Sequence, residues 1–247
     1  MGQYYQAIQL QADVDRPKAY CYSHDFGSGL KLMEHSWVLN PFVRFFEQQL
    51  INNPQRIVWA GDYADCEKLT EKEIKYFSKQ MMKESLEHYT EKYITKLCLN
   101  PSSTKEKNDI ILAGIEAELR KDELNLYSMC DMPTVLKLTH NEEIKGNKWD
   151  YKFKCLVPLK ETRYLVNHTK KEYVDKTKVP NNDGWSVHPL PLLTSMGCGQ
   201  GGGDFYSEDK KQLSFVGRWA KDTIEVVSVK TKIPKGYTEI KPNFEEK

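Results

Sequence analysis

The most unusual segment of the sequence is a glycine-rich stretch, 197–204, that ends in an aspartate. Glycines free the backbone for positive φ and let amides approach an anion closely, so this stretch can form a phosphate-binding loop. The Lys-Ser/Thr ending of a P-loop is missing, however, and Asp204 would repel a phosphate unless a cation intervened. The alternative to a ligand site is a purely structural loop, which a glycine-rich stretch on its own favours. The predicted ligand-binding residues are Gly199, Gly201, Gly202, Gly203, Asp204, Trp185 and His188.

Four aspartates lie at or just after turn-like breaks in the sequence. Carboxylates gathered from several loops can bind Mg²⁺ or Mn²⁺ through oxygen ligands. Asp is also a habitual turn residue whose side chain accepts backbone N–H bonds, and this is the simpler explanation. The predicted metal ligands are Asp62, Asp65, Asp204 and Asp222.

Histidine and cysteine side chains are the remaining candidates for acid–base or nucleophilic chemistry. No H-E-x-x-H, H-x-H or histidine–cysteine spacing links the histidines, so each is more simply an ordinary polar side chain. Cys198 can act as a nucleophile only beside a base such as His188 or His35, because the thiolate is the reactive form. Spacing along the chain does not show that proximity, and a small buried or loop thiol is the alternative. The candidate histidines are His24, His35, His168 and His188.

Tryptophans beside strand-like runs offer an aromatic pocket that would stack a base or a sugar. Aromatic residues in such positions more often belong to the hydrophobic core, which is the competing explanation. The tryptophans concerned are Trp37, Trp59, Trp185 and Trp219.

The elements that must position these residues fall into three parts along the chain. Residues 1–65 and 131–247 contain short strand-like runs separated by glycine, proline and asparagine breaks, whereas residues 66–130 have helical spacing. We therefore predict an α+β fold in which two β-rich parts flank a helical insertion, the whole forming one compact unit. Strands are predicted at 4–10, 18–23, 57–59, 135–138, 149–157, 164–166, 224–229 and 237–240, and a helix at 41–50.

The middle part carries the clearest helical pattern. Thr70 and Glu73 form a capping box, and apolar residues recur at helical spacing from there to residue 97. A second amphipathic segment follows the break at 100–103. We predict a helical hairpin in which 70–97 is one helix. The face that this helix is expected to bury is formed by Ile74, Phe77 and Met81.

A possible internal repeat links the two β-rich parts. Trp59-Ala60-Gly61-Asp62 returns as Trp219-Ala220-Lys221-Asp222, and a few other residues match at the same offset. Most pairs at this offset differ, so a duplicated unit and a coincidence are both open. Duplication predicts that Trp59 and Trp219 occupy equivalent places.

Composition limits the class of protein. The chain has 247 residues, with 36 Lys and Arg against 35 Asp and Glu, whereas a general nucleic-acid binder is usually more basic. No run approaches the roughly 20 apolar residues that span a bilayer, and the polar start lacks the apolar core of a secretory signal. The six cysteines form no C-x-x-C pair, which favours reduced thiols. We expect a cytoplasmic protein with neither general nucleic-acid binding nor a membrane partner.

Several short elements resemble a family of uncharacterised proteins from bacteria and their phages. They include the Met-Gly-Gln-Tyr start, the Gly-x-Gly-Leu-Lys-Leu element at 27–32 and the Ala-Gly-Asp-Tyr-Ala-Asp element at 60–65. The similarity continues at 188–194 and in the Gly-Gly-Gly-Asp end of the glycine loop, and it omits the helical middle. The resemblance implies a grouping and a setting in conflict between phage and host, and it implies no activity or mechanism.

Two functional hypotheses follow from these residues. The first is an intracellular binding protein that recognises a small anionic, nucleotide-like ligand or a protein partner through the glycine loop and nearby aromatic residues. The alternative is a metal-dependent hydrolase acting on a phosphorylated substrate, with aspartates binding the metal and His188 as base. Carboxylates within metal-ligand reach would favour the enzyme, and an apolar pocket lined by aromatics would favour binding. The sequence identifies no cofactor.

Overall fold

The chain folds into two compact units. The structure, a computed structural model, describes residues 1–132, 135–138, 162–180 and 186–244. One unit is formed by residues 1–64 and 137–247, and the other by residues 65–136. The predicted strand at 149–157 and the candidate ligand residue Trp185 lie outside the described residues.

Eleven strands are present in the described residues, and nine of them form one sheet. The two others pair with each other in the second unit. The strands are β1 (Tyr5–Leu10), β2 (Pro17–Tyr22), β3 (Gln55–Gly61), β4 (Glu67–Lys68), β5 (Glu123–Leu124), β6 (Leu136–Lys137), β7 (Tyr164–Asn167), β8 (Glu172–Asp175), β9 (Ser195–Met196), β10 (Thr223–Val227) and β11 (Thr238–Glu239).

The nine-stranded sheet runs in the order β11-β8-β7-β10-β3-β1-β2-β6, and β9 pairs with β3 beside this path. Neighbours from β8 to β2 are antiparallel, whereas β11 with β8 and β9 with β3 are parallel. Strand β1 is buried at all six positions, so both of its faces are covered. Strand β2 alternates between buried and more exposed positions, which is typical of a strand with one face in the core.

The helices are short. The longest in the described residues, α5, has 16 residues, and no helix there is long and apolar enough to cross a bilayer. The α-helices are α1 (Leu32–His35), α2 (Pro41–Gln48), α3 (Glu71–Glu84), α4 (Leu86–Thr90), α5 (Thr104–Leu119), α6 (Leu126–Met129), α7 (Pro189–Leu193) and α8 (Lys210–Leu213).

Helix α2 confirms the helix predicted at 41–50 and supplies much of the core. Asn40 begins it, because its side-chain oxygen accepts the backbone N–H of Phe42 at 2.9 Å. The rings of Phe42 and Phe46 each lie 5.2 Å from the indole of Trp59 in β3. These contacts place a fully buried aromatic cluster between α2 and the sheet.

The second unit is helical as predicted, but its first helix is shorter than 70–97. The capping box is present, since Thr70 and Glu73 exchange side-chain and backbone hydrogen bonds. Helix α3 ends at Ser85, whose backbone (φ −134°, ψ 41°) leaves the helical region. Helix α4 and a π-helical turn, Glu91–Thr95, continue the chain, so the prediction of one helix is wrong.

Helices α3 and α5 pack against each other as a hairpin. Ile74 and Phe77 are buried as predicted, whereas Met81 is only partly buried. Gly114 of α5 gives room to Tyr93, because a Cβ there would lie 2.7 Å from the tyrosine ring. The packing of the hairpin thus depends on a glycine that helical propensity alone would not explain.

Strands from both ends of the chain join in one sheet, which confirms the α+β class but not a duplicated unit. Trp59 lies in β3, whereas Trp219 lies in a turn before β10. The two backbones are unrelated, so the prediction of equivalent places is wrong. Both tryptophans instead hydrogen-bond to the same segment through the backbone. The backbone N–H of Trp59 donates to the carbonyl of Thr194 at 2.8 Å, and the backbone N–H of Trp219 donates to the carbonyl of Leu193 at 2.6 Å.

Candidate functional site

Gln3 is the point at which two glycine-containing elements meet the start of the chain. Its side chain is fully buried, and Gly61, Gly197 and Gly201 pack around it. A Cβ on Gly61 would lie 1.9 Å from Gln3 Nε2, and one on Gly201 would lie 2.4 Å from Gln3 Cβ and 2.9 Å from its backbone nitrogen. Close packing therefore requires glycine at these positions.

Backbone hydrogen bonds tie the rest of the glycine loop to the first 33 residues of the chain. The N–H of Gly202 donates to the carbonyl of Met1 at 3.0 Å, and the N–H of Gln3 donates back to the carbonyl of Gly202 at 3.2 Å. The N–H of Met33, which directly follows the Gly-x-Gly-Leu-Lys-Leu element at 27–32, donates to the carbonyl of Gly203 at 3.0 Å. Gly203 has a φ of +85°, which a larger residue adopts only with strain. The loop is thus a built structural feature.

Asp204 occupies the amide cradle that the sequence predicted for an external anion. Its Oδ2 accepts the N–H of Gly199 at 2.8 Å and that of Gly201 at 3.0 Å. Its Oδ1 accepts the phenol of Tyr5 at 2.8 Å, and the residue is 4% exposed. Burial raises the pKa of Tyr5, and the neighbouring Cys198 and Asp204 raise it further, so the phenol stays protonated and remains a donor. The loop therefore holds a carboxylate of its own chain.

An open groove of about 790 Å³ lies directly against the glycine loop. Small-ligand sites typically measure roughly 300–1,000 Å³. Tyr206 and Leu213 are 60% and 40% exposed, so both present apolar surface to solvent, whereas Phe205 is buried in the wall. The apolar and aromatic side chains that line the groove are Phe205, Tyr206, Leu213 and Val216.

The polar side chains that line the groove are already hydrogen-bonded within the chain, except for the carboxylate of Glu208. Glu208 is exposed and forms no ion pair or side-chain hydrogen bond with any residue that the structure describes. Four donors of the groove are already used within the chain. The thiol of Cys198 donates to the carbonyl of Phe205 at 3.8 Å, and the N–H of Gly199 donates to Asp204 at 2.8 Å. The phenol of Tyr206 donates to the carbonyl of Gly201 at 2.7 Å, and the hydroxyl of Ser207 donates to Gln212 Oε1 at 3.3 Å.

Cys198 lines this groove but is not an activated nucleophile. Burial raises its pKa to about 11, and the negative charge of Asp204 acts in the same direction. The thiol is therefore protonated at neutral pH, whereas nucleophilic attack needs the thiolate. The groups that act on it are Asp204, Tyr5 and the backbone of Phe205 and Gly199. Asp204 is the one carboxylate among them, and its oxygens already accept hydrogen bonds from other groups.

His188 is buried at the start of α7, and both of its ring nitrogens are used. Nδ1 accepts the backbone N–H of Leu190 at 3.2 Å, so the proton of the neutral ring lies on Nε2. Nε2 lies 3.1 Å from Glu47 Oε1 and donates to it. Burial lowers the pKa of His188, which keeps the ring neutral. A ring with no free lone pair cannot serve as the predicted base or bind a ligand.

Glu47 joins His188 to Lys176 in a buried ionic cluster that the sequence did not reveal. Its carboxylate is fully buried and accepts a short hydrogen bond from Lys176. Burial alone would raise the pKa of Glu47, but Lys176 and His188 outweigh this and bring it to about 2. Arg44, 2% exposed, adds a second positive charge that lowers the pKa of Lys176 together with burial. The signal in the sequence that could have indicated this cluster was the presence of two charged residues, Arg44 and Glu47, on the otherwise apolar face of α2.

The other candidate histidines have separate structural partners. His35 is fully buried, with Nδ1 donating to the carbonyl of Gly29 at 2.9 Å and Nε2 accepting the indole N–H of Trp59 at 2.9 Å. Burial lowers its pKa to about 4. His168 lies 2.8 Å from Glu225 through Nε2 and 2.9 Å from the Tyr237 phenol through Nδ1. His24 is exposed.

The four aspartates predicted to bind a metal do not come together. No three His, Cys, Asp or Glu side chains among the described residues form a group that could hold a metal ion. Asp62 accepts the backbone N–H of Tyr4 at 3.0 Å, as the turn interpretation expected. Asp222 accepts hydrogen bonds from Asn167 at 2.8 Å and Lys170 at 2.6 Å. Asp65 is exposed and belongs to the second unit.

The tryptophans that the structure describes do not line the groove. Trp59 and Trp219 are fully buried, and the indole of Trp219 donates to Glu172 at 2.8 Å. Trp37 pairs its backbone with Val187 in an isolated β-bridge. The aromatic residues of the groove are instead Phe205 and Tyr206, which directly follow the glycine loop. Their position beside that loop was the signal by which the sequence could have indicated them.

The groove beside the glycine loop thus has room for a ligand, and Cys198 and Gly199 of the loop form part of its wall. Comparison of the chain with protein-family models, curated proteins and solved structures finds no match.

Proposed function

We propose that this chain is a non-enzymatic binding protein that holds a small ligand with an apolar body in the groove beside the glycine loop. The single observation that carries the proposal is the groove itself, about 790 Å³ in volume and lined by aromatic and aliphatic side chains. Tyr206 and Leu213 expose large apolar surfaces there, and burying such surface drives association.

The groups in and near the groove support binding more than catalysis. The Cys198 thiol has a raised pKa, and both nitrogens of His188 are bonded within the chain. A hydrolase would need carboxylates that converge on a metal, yet Asp62, Asp204 and Asp222 each accept hydrogen bonds from separate partners. The metal-dependent hydrolase therefore lacks a supporting observation.

We place this binding in the cytoplasm. The cysteines that the structure describes are free thiols, and Cys66 and Cys98 are exposed. Exposed free thiols persist best in a reducing compartment. A protein partner remains compatible with the groove, since a short apolar segment would bury the same surface.

Saturation-transfer NMR with a library of aromatic and aliphatic fragments tests the proposal. We expect hits whose binding is lost in Leu213→Asp, which places a charge in the apolar wall, and reduced in Tyr206→Ala. Leu97→Asp and Tyr76→Ala are matched controls, because these side chains are 60% and 51% exposed in the other unit. Native mass spectrometry of freshly purified protein would show a retained ligand directly. Fragments that bind equally to all variants, or no hits at all, would reject the groove as a binding site.

A further inference from the structure

We infer that the occupant of the groove is a small organic cation, an ammonium or a similar nitrogen cation attached to an apolar body. This inference rests on the proposed function and names the chemical class of its ligand. It follows from two properties of the groove. Its free hydrogen-bonding groups favour a ligand that donates hydrogen bonds, and its charge favours a ligand that is positively charged.

The groove has acceptors to offer but its side-chain donors are used. The thiol of Cys198, the phenol of Tyr206 and the hydroxyl of Ser207 all donate to acceptors of the chain itself. The N–H of Gly199 donates to Asp204. An anionic ligand that bound to these donors would have to break their bonds and leave the acceptors unsatisfied, which carries a cost. A cation can use the phenol oxygen of Tyr206 and the Glu208 carboxylate without breaking any of them.

The charge of the groove points in the same direction. Among the described residues that line the groove, Glu208 supplies the only formal charge, and no described residue neutralises that charge by an ion pair. Behind the wall, Asp204 is held by a phenol and two backbone amides, which are neutral donors. These donors orient the carboxylate without cancelling its negative charge. Lys210 and Lys211 belong to α8 but do not line the groove.

Tyr206 adds a contact that is specific for cations. Its side chain is exposed at the groove, while its hydroxyl is fixed by the hydrogen bond to the carbonyl of Gly201. An ammonium group over the face of a tyrosine ring is attracted by the ring quadrupole. A ring held in place loses little rotamer freedom when such a ligand binds.

Three probes with one phenyl-alkyl skeleton test the inference: 2-phenylethylammonium, 2-phenylethanol and 3-phenylpropanoate. We expect the ammonium to bind about threefold to tenfold more tightly than the alcohol, and the carboxylate to bind most weakly. Glu208→Gln should reduce the preference for the ammonium over the alcohol, whereas Glu87→Gln, an exposed glutamate of the other unit, should leave it unchanged. Titrations followed by protein NMR at low and high salt provide the affinities, and the preference should shrink with salt.

The outcomes distinguish the inference from the proposed function. If the alcohol or the carboxylate binds as tightly as the ammonium, and Leu213→Ser abolishes that binding, the groove binds ligands but the cation preference is wrong. Leu213→Ser is used here because it removes apolar surface without adding charge. If no probe binds in a manner sensitive to Leu213→Ser, both are overturned. Tyr206→Phe serves as a second variant, because it keeps the aromatic face and should retain most of the ammonium preference.

Discussion

Two buried carboxylates of this protein, Asp204 and Glu47, are stabilised in different ways. Asp204 accepts hydrogen bonds from a phenol and two backbone amides, all of them neutral donors. Glu47 faces Lys176 and the Nε2–H of His188, with Arg44 close enough to act on both. Both carboxylates are almost fully buried.

The difference shows how one chemical group can serve two roles. Charged partners cancel the charge of Glu47, so that cluster holds α2 to the segments at 176 and 188. Neutral donors fix the direction of Asp204 but leave its negative charge in place behind the groove wall. The glycine loop therefore shapes the electric field of the proposed binding site, whereas the ionic cluster is a structural anchor.

The largest effect is expected when the ionic cluster is broken. Glu47→Gln leaves Lys176 and Arg44 buried without their carboxylate, and breaking a buried pair in this way costs about 3–5 kcal/mol of unfolding free energy. Urea denaturation at pH 7 measures it. The matched control is Glu71→Gln, because Glu71 pairs with Arg120 at the surface and should change stability little. An equally small loss in Glu47→Gln would show that the cluster does not anchor the fold.

Acid should remove the same contribution from the native protein. The folded pKa of Glu47 is about 2, below its ordinary value of 4.5. Its contribution is therefore complete above pH 4.5 and is lost as pH falls toward 2, on the order of 3 kcal/mol in total. His188 acts in the same direction, because its pKa is lowered and the unfolded chain takes up its proton first.

Denaturation from pH 7 to pH 3 tests this in the native chain and Glu47→Gln side by side. The stability difference between them should shrink as the pH falls below 5, because the glutamine does not titrate. A difference that stays constant over this range would contradict the assigned role of Glu47.

A smaller effect should separate two neighbouring glycines of the loop. A Cβ at Gly201 would lie 2.9 Å from the backbone nitrogen of Gln3, whereas one at Gly202 meets nothing closer than 3.5 Å. Gly201→Ala should therefore cost about 1–3 kcal/mol through overpacking, and Gly202→Ala should stay within roughly 0.5 kcal/mol. Chemical denaturation of the two variants gives the comparison. Equal stability of the two variants would mean that the loop is not packed on Gln3.

Much of the local structure could be predicted from the sequence. The capping box at Thr70 begins α3, Asn40-Pro41 begins α2, and alternating or continuous apolar runs became strands. Each of these signals comes from residues within a turn or two of one another, where propensity and capping act. The long helix to residue 97 failed because apolar spacing continues past Ser85 although the backbone does not.

The site was only partly predictable for a related reason. The sequence singled out the glycine loop and Asp204 because unusual composition is visible locally. The phenol that bonds Asp204 is 199 positions away, and Lys176 is 129 positions from Glu47. No local pattern connects such residues. The repeat suggested by Trp59 and Trp219 was a coincidence of sequence, because one lies in a strand and the other in a turn.

The sequence by itself determined where the three longest helices begin, roughly where most of the described strands lie, the α+β class and the presence of a specialised glycine loop. Only the tertiary structure decided that this loop encloses its own carboxylate, that Lys176 pairs with Glu47 while His188 hydrogen-bonds to it, and that Phe205 and Tyr206 line a groove. The physical reason is that capping and periodicity depend on neighbours along the chain, whereas burial and hydrogen-bond satisfaction depend on which distant segments pack together.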